Sequence, residues 1–272
     1  MGEFRGSQAT IFYEQEGHGR DIVWVAGGGS RGSEWQRYQT PHFAPRFRNT
    51  TFDSRGIGQT TCDVPMPWPI EDFARDTAEL IREVCEPPVA IIGSSFGSAI
   101  VQQVCIDAPE LIRCAVVMGT GAYSTGWGWD FQEAEIEFRR AGGTLEGMMG
   151  VTHYAAMLYP ARVLGDRERW PEIRDDLLRW MDSGDNETSL IPQWEASLRF
   201  DQRAALPHLR VPLHVLAFEE DIQAPPQDGE ELARLVPGAE LHLFEGMGHG
   251  SWYGHTHEVL NPFIEELITR HL

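Results

Sequence analysis

The chain has 272 residues, and 41 Asp and Glu against 22 basic residues leave a formal net charge of −19. That excess argues against a nucleic-acid partner, because phosphate binding needs a concentrated basic surface. All 22 basic residues are Arg, so chemistries that need a side-chain amine are excluded: a Schiff-base lysine, a GK[ST] phosphate loop and a Ser-x-x-Lys pair.

We read the missing Lys as codon bias in a GC-rich genome. A hydrophobic fraction of 42% suffices for the core of one domain, or of one domain with an insertion. No run reaches the ~18 apolar residues of a membrane span, and the N-terminal segment has no signal-peptide core. The expected compartment is the cytoplasm, with no membrane partner. Cys62, Cys85, Cys105 and Cys114 have neither CxxC pairing nor zinc spacing and read as reduced core residues.

Along the first 120 residues short apolar runs alternate with amphipathic ones, and the alternation resumes after about residue 206, the pattern of βαβ units in a mostly parallel sheet. Ile22–Ala26 reads as a strand that ends in Gly27-Gly28-Gly29, and Asn49–Asp53 as one that ends in a turn-rich loop. Phe73, Thr77, Leu80, Ile81 and Val84 have helical spacing, and Pro87-Pro88 stops that helix. The strand Val89–Ile92, a helix over Ser98–Ala108 and the strand Leu111–Met118 follow.

Residues 121–205 lack β-branched runs and show helical patterns around Phe131–Phe138, Ile173–Met181 and Trp194–Leu198, joined by Gly-rich links. Five of the nine tryptophans lie there: Trp127, Trp129, Trp170, Trp180 and Trp194. We read 121–205 as a helical insertion into a core made of 1–120 and 206–272. After it come the strand Leu213–Phe218, a helix over Glu230–Val236, the strand Glu240–Phe244 and a closing helix over Glu258–Thr269.

Gly93-x-Ser95-x-Gly97 matches the G-x-S-x-G nucleophile elbow, and it falls between an apolar strand and an apolar-faced helix, as the elbow requires. A serine hydroxyl needs a base within hydrogen-bond reach. The elbow's chain order, Ser then Asp or Glu then His, favours the histidines after the insertion. His249, in a Gly-rich loop after the last strand, is the expected base; His214 and His242 sit inside strands, and His255 and His257 open the last helix. A metal reading of His255-x-His257-Glu258 lacks a third ligand at plausible spacing, so no metal is expected. Asp221, after the strand ending in Phe218, is the expected acid, with Glu219 and Glu220 as close rivals.

An oxyanion hole needs two backbone N–H donors. Phe96, which follows the nucleophile, is one candidate, and Gly28 in the Gly27–Gly29 run is the other, with Gly27 or Gly29 open by a one-residue slip. Trp127, Trp129, Phe131, Met148, Met149, Tyr154, Met157, Tyr159 and Trp252 are candidates to line an apolar substrate pocket, the competing role for each being plain packing.

Together these residues resemble the α/β-hydrolase superfamily, in its capped esterase, haloperoxidase-like and proline-iminopeptidase-like branch, over nearly the whole chain. Asp53-Ser-Arg55-Gly56-Ile-Gly58-Gln-Thr60 is similar to that group's D-x-R-G-x-G-x-[ST] loop, which implies a structural role for Asp53 and Arg55. The resemblance implies an α/β-hydrolase fold whose insertion is a cap. Two positions depart from the family: Ala26-Gly27 replaces the usual His-Gly, and Ser94 is the elbow's first variable residue.

The implied function is cofactor-independent serine hydrolysis of a small-molecule carboxylic ester, such as a methyl ester of a bulky apolar natural product, with the oligomeric state left open. Thioester hydrolysis, acyl transfer or cyclisation, and cleavage at a proline use the same residues. A non-catalytic ligand receptor on the same scaffold is the reading from another class.

Overall fold

A computed structural model describes residues 1–182, 185–252 and 256–272, with backbone alone for 185–189. Among the described residues nine strands form one sheet: β1 (Gly2–Arg5), β2 (Ala9–Gly17), β3 (Arg20–Val25), β4 (Phe47–Phe52), β5 (Thr61–Cys62), β6 (Val89–Ser94), β7 (Ile112–Met118), β8 (Leu213–Phe218) and β9 (Glu240–Phe244). Their order is β1-β2-β4-β3-β6-β7-β8-β9, with β5 beside β2. The β1–β2 and β2–β4 pairs are antiparallel, and every pair from β4–β3 to β8–β9 is parallel.

The helices are α1 (Thr40–Phe43), α2 (Ile70–Val84), α3 (Phe96–Asp107), α4 (Gly126–Arg140), α5 (Gly147–Leu158), α6 (Ala161–Leu164), α7 (Trp170–Asp182), α8 (Asp185–Arg199), α9 (Pro226–Leu235) and α10 (His257–Thr269). In α2, Glu71 and Asp72 lie in the first turn and Arg82 in the last, each favourable to the helix dipole. Its buried face, Phe73, Thr77, Leu80 and Ile81, follows the helical repeat, and each large apolar side chain so covered contributes roughly 1.5–3 kcal/mol.

Both faces of the sheet are covered. Alternation along β3 sends Val23 and Val25 to the layer with α2, α3 and α9, and Ile22 and Trp24 to the layer with α1 and α10. A third apolar cluster, containing Val151, Tyr154, Ile173, Leu177 and Leu190, lies within the helices between β7 and β8. Because the central strands run parallel, the loops after β3, β6, β7, β8 and β9 open at one edge of the sheet, where ligands of open α/β sheets bind.

Several elements differ from the sequence expectation. β1 and β2 lie toward the edge of the sheet, and β2 ends in the exposed run Gln15–Gly17, so its burial is too slight to mark a strand by composition. The α5 helix carries two glycines and no clean apolar stripe, yet Val151, Tyr154 and Ala155 pack it against Ile173 and Leu177 of α7. Tertiary packing there overrides weak local propensity.

Candidate active site

Ser95 is placed by backbone strain. It links β6 directly to α3 at φ 50° and is the one non-glycine residue with positive φ among the described residues. A Cβ on Gly97 would lie 2.3 Å from the Val25 carbonyl oxygen, and one on Gly93 would lie 2.6 Å from the Gly97 carbonyl oxygen. The elbow glycines therefore let two strands and a helix approach closely. The Ser95 N–H donates to the Met118 carbonyl at 2.9 Å, and the Ser98 hydroxyl bonds both polar atoms of the Met118 backbone at 3.0 Å, tying the elbow to β7.

His249 comes from the loop after β9 and Asp221 from the loop after β8. His249 Nδ1 lies 2.7 Å from Asp221 Oδ2, and His249 Nε2 lies 2.9 Å from Ser95 Oγ. An ionised carboxylate can only accept, so the pairing places the ring proton on Nδ1 and turns the Nε2 lone pair toward the serine hydroxyl. Asp221 Oδ1 accepts the N–H groups of Gln223 and Ala224 at 2.8 and 2.9 Å, which fixes the carboxylate's orientation. Asp221 and His249 are both buried. Glu219 instead accepts the Gly246 N–H, and Glu220 pairs with Arg162, so neither rival reaches the imidazole.

Trp252 packs edge-on against His249 with ring centroids 5.1 Å apart. Gly119, at φ 56°, lies beneath them; a Cβ there would stand 3.2 Å from both His249 Cε1 and Asp221 Oδ2. His257 packs against Tyr38, with ring centroids 4.8 Å apart, and does not border the cavity, and His255 lies outside the described residues.

These groups meet at the floor of a cavity of about 180 Å³ that Gly28, Ser95, Phe96, His249 and Trp252 border and that α4, α5, α7 and α8 roof. Gly29 is held from above, its N–H donating to Gln193 Oε1 at 2.8 Å and its carbonyl accepting Trp180 Nε1 at 3.0 Å. Of the expected pocket residues, Tyr154, Trp252, Phe131, Met157 and Tyr159 border the cavity. Trp127, Trp129 and Met148 do not, being 48%, 37% and 49% exposed, and Met149 is exposed as well. Gly128, Phe131 and Gln132 face inward from α4; Trp129, ~100° around the helix from Gly128, turns outward, whereas Trp127 stands one turn before Phe131 and stacks on it with ring centroids 5.1 Å apart, about half of it left in solvent. Met148 and Met149 fall in the first turn of α5, ahead of the inward-facing Tyr154 and Met157.

Trp180, Leu190 and Trp194 also line the cavity, as does Asp228 of α9. Trp180 and Trp194 were not among the expected pocket residues, although the tryptophan density of the insertion is a signal that could have found them; Asp228 carries no sequence signal beyond an acidic helix start. Burial, with Glu231 and Asp221 nearby, pushes the Asp228 carboxyl up to about 6. Asp53 and Arg55 lie outside the cavity: Asp53 accepts the N–H groups of Gly32 and Gln59, and Arg55 pairs with Asp76 through two 2.8 Å bonds.

The sequence pattern of the Alpha/beta hydrolase family matches residues 22–261. The chain belongs to that family. A Mycobacterium tuberculosis chain bearing the name of non-heme bromoperoxidase BpoC is 27% identical over 251 residues, covering 88% of this chain and 90% of its own. The crystal structure under that name superposes with a TM-score of 0.87, covering 96% of each chain at 25% identity. The pimeloyl-[acyl-carrier protein] methyl ester esterase of Methylococcus capsulatus is 26% identical over 262 residues, 93% of this chain and 98% of its own. The enol-lactonase of Burkholderia xenovorans, 19% identical with a TM-score of 0.84 over 96% of this chain and 97% of its own, shares the hydrolase fold.

Proposed function

We propose that the protein is a serine hydrolase that cleaves carboxylic esters through an acyl-enzyme on Ser95. The observation that carries this reading is the continuous relay from Asp221 Oδ2 through His249 to Ser95 Oγ, at 2.7 and 2.9 Å, on the floor of a roofed cavity. Ser95 Oγ attacks the carbonyl carbon while His249 Nε2 takes its proton, and Asp221 stabilises the imidazolium that forms. The N–H groups of Phe96 and Gly28 hold the developing oxyanion, the Gly29 N–H being committed to Gln193. His249 then returns the proton to the departing alkoxide. Water, deprotonated by the same nitrogen, cleaves the acyl-enzyme and frees the acid.

In this reading the helices between β7 and β8 are a cap that excludes bulk water. A dry cavity of ~150 Å³ holds about one benzene ring, so 180 Å³ favours an acyl group of similar or slightly larger size over a bulky natural product. The methyl ester esterase named above supports an ester over a peptide substrate.

Fluorophosphonate labelling combined with a panel of p-nitrophenyl and methyl esters tests the proposal. The expected result is one labelled residue, Ser95, with turnover lost in Ser95→Ala and His249→Ala. Labelling that persists in Ser95→Ala would refute it.

A further inference from the structure

At the opposite end of the strands from Ser95, a second polar cluster forms where β8, β9 and the end of α10 meet. His214 is the second residue of β8, Glu240 and His242 are the first and third of β9, and parallel pairing sets His214 beside Glu240. His214 Nδ1 and His242 Nε2 each stand 3.8 Å from the same oxygen, Glu240 Oε2. That spacing is too long for a hydrogen bond, and both nitrogens are buried with no hydrogen-bond partner among the described residues. The His214 side chain is 2% exposed.

Two buried nitrogens converging on one carboxylate oxygen, and bonded to nothing, are a costly arrangement that a cation resolves. All three atoms lie within 4.8 Å of one another. Ligand atoms of a Zn²⁺ ion bound at ~2.0–2.1 Å sit ~3.3 Å apart, so small ring rotations close the site. The other nitrogen of His214, Nε2, lies 2.9 Å from His271 Nε2. An Nε2–H donated to His271 leaves Nδ1 bare, the outer hydrogen bond that metal-binding imidazoles use. Arg270 also touches Glu240 Oε2, at 3.2 Å, but holds Glu266 at 2.7 Å and so keeps a carboxylate when a metal takes that oxygen. Phe263 of α10 closes edge-on over His242, with centroids 5.0 Å apart.

We propose that His214 Nδ1, His242 Nε2 and Glu240 Oε2 form a binding site for a divalent cation of the Zn²⁺ class. The half-exposed Glu240 leaves a fourth position open to water. The ion fastens edge strand β9 to β8, with His271 securing the end of the chain behind it. This site is independent of the hydrolytic one and departs from the expectation that the chain holds no metal.

The test uses the full chain without an affinity tag, stripped by a chelator and titrated with Zn²⁺ by calorimetry, with Co²⁺ as the visible-absorption probe. The expected result is one Zn²⁺ per chain and a rise in Tm of about 5 °C at saturation, with no rise in Mg²⁺ or Ca²⁺. His242→Ala and Glu240→Gln each weaken binding at least tenfold, while His249→Ala leaves it intact. Absence of stoichiometric binding overturns the proposal. So does wild-type affinity in Glu240→Gln, whose half-exposed position makes it the reporter if His242→Ala does not fold, or loss of binding in His249→Ala alone.

Discussion

Gln193 of α8 accepts the backbone N–H of Gly29, the neighbour of the cavity-lining Gly28, across 2.8 Å. Gln193 is 1% exposed, so its removal strands a buried amide, a penalty of roughly 1–3 kcal/mol. It also frees the loop that carries Gly28. Gln193→Ala is therefore expected to lower kcat for ester hydrolysis about tenfold with a smaller change in KM, and Gln193→Glu, which keeps an acceptor, to lose less. Steady-state kinetics on one p-nitrophenyl ester reads both.

Asp221→Asn keeps an oxygen for the Gln223 and Ala224 amides but presents N–H to His249, which favours the wrong tautomer. The expected fall in kcat is about 10⁴-fold. Glu219→Gln and Glu220→Gln, whose carboxylates face Gly246 and Arg162, should change kcat less than about twofold. Equal losses at all three positions would reassign the acid.

Gly97→Ala drives a Cβ to 2.3 Å from the Val25 carbonyl and 2.5 Å from that of Ala26, both backbone atoms of a central strand and its exit. Unfolding in urea should show a loss exceeding ~3 kcal/mol, or no folded protein. Gly142→Ala serves as the control: its φ of 85° meets open space, so only the backbone cost of ~1 kcal/mol applies.

Asp228 sets a pH dependence. Its carboxyl is raised from 3.8 to about 6 in the folded chain, so the folded state holds that proton more tightly than the unfolded one. The stability this contributes is full below about pH 4 and lost as pH rises through about 6. Thermal melts of Asp228→Asn should match wild type at pH 4 and lie a degree or more higher at pH 8. Because Asp228 borders the cavity, KM for an ester with an anionic tail should climb between pH 5 and 7 in wild type and stay flat in the variant.

The buried parallel strands were legible because their apolar runs end in glycine or turn residues. β8 and β9 fall where composition placed them, and α2 likewise stops before Pro87. The residues now meeting at Ser95 were legible for a different reason: an elbow between a strand and a helix, and a fixed chain order, place side chains that stand far apart in sequence. What stayed hidden depended on packing. Whether Trp127 or Trp180 borders the cavity is decided by how α4 packs on α8 and α7 on α5, and both positions carry the same residue type. The meeting of His214, His242 and Glu240 was equally invisible, since it depends on β8–β9 register and on α10 folding back over that edge.

Between β7 and β8, Tyr123, just before the roofing helices, and Asp201, just after them, form an antiparallel bridge. The Gln202 N–H donates to the Ala122 carbonyl at 3.0 Å beside it, and the Ser124 hydroxyl donates to the Ser197 carbonyl at 2.9 Å. Seen from the sheet, everything between is one turn with its ends already joined. Doubling the length of such a turn costs only ~0.6 kcal/mol of closure entropy. A roof of different size or lining could thus be joined at the same two points, provided that it keeps partners for the Gly29 N–H and carbonyl.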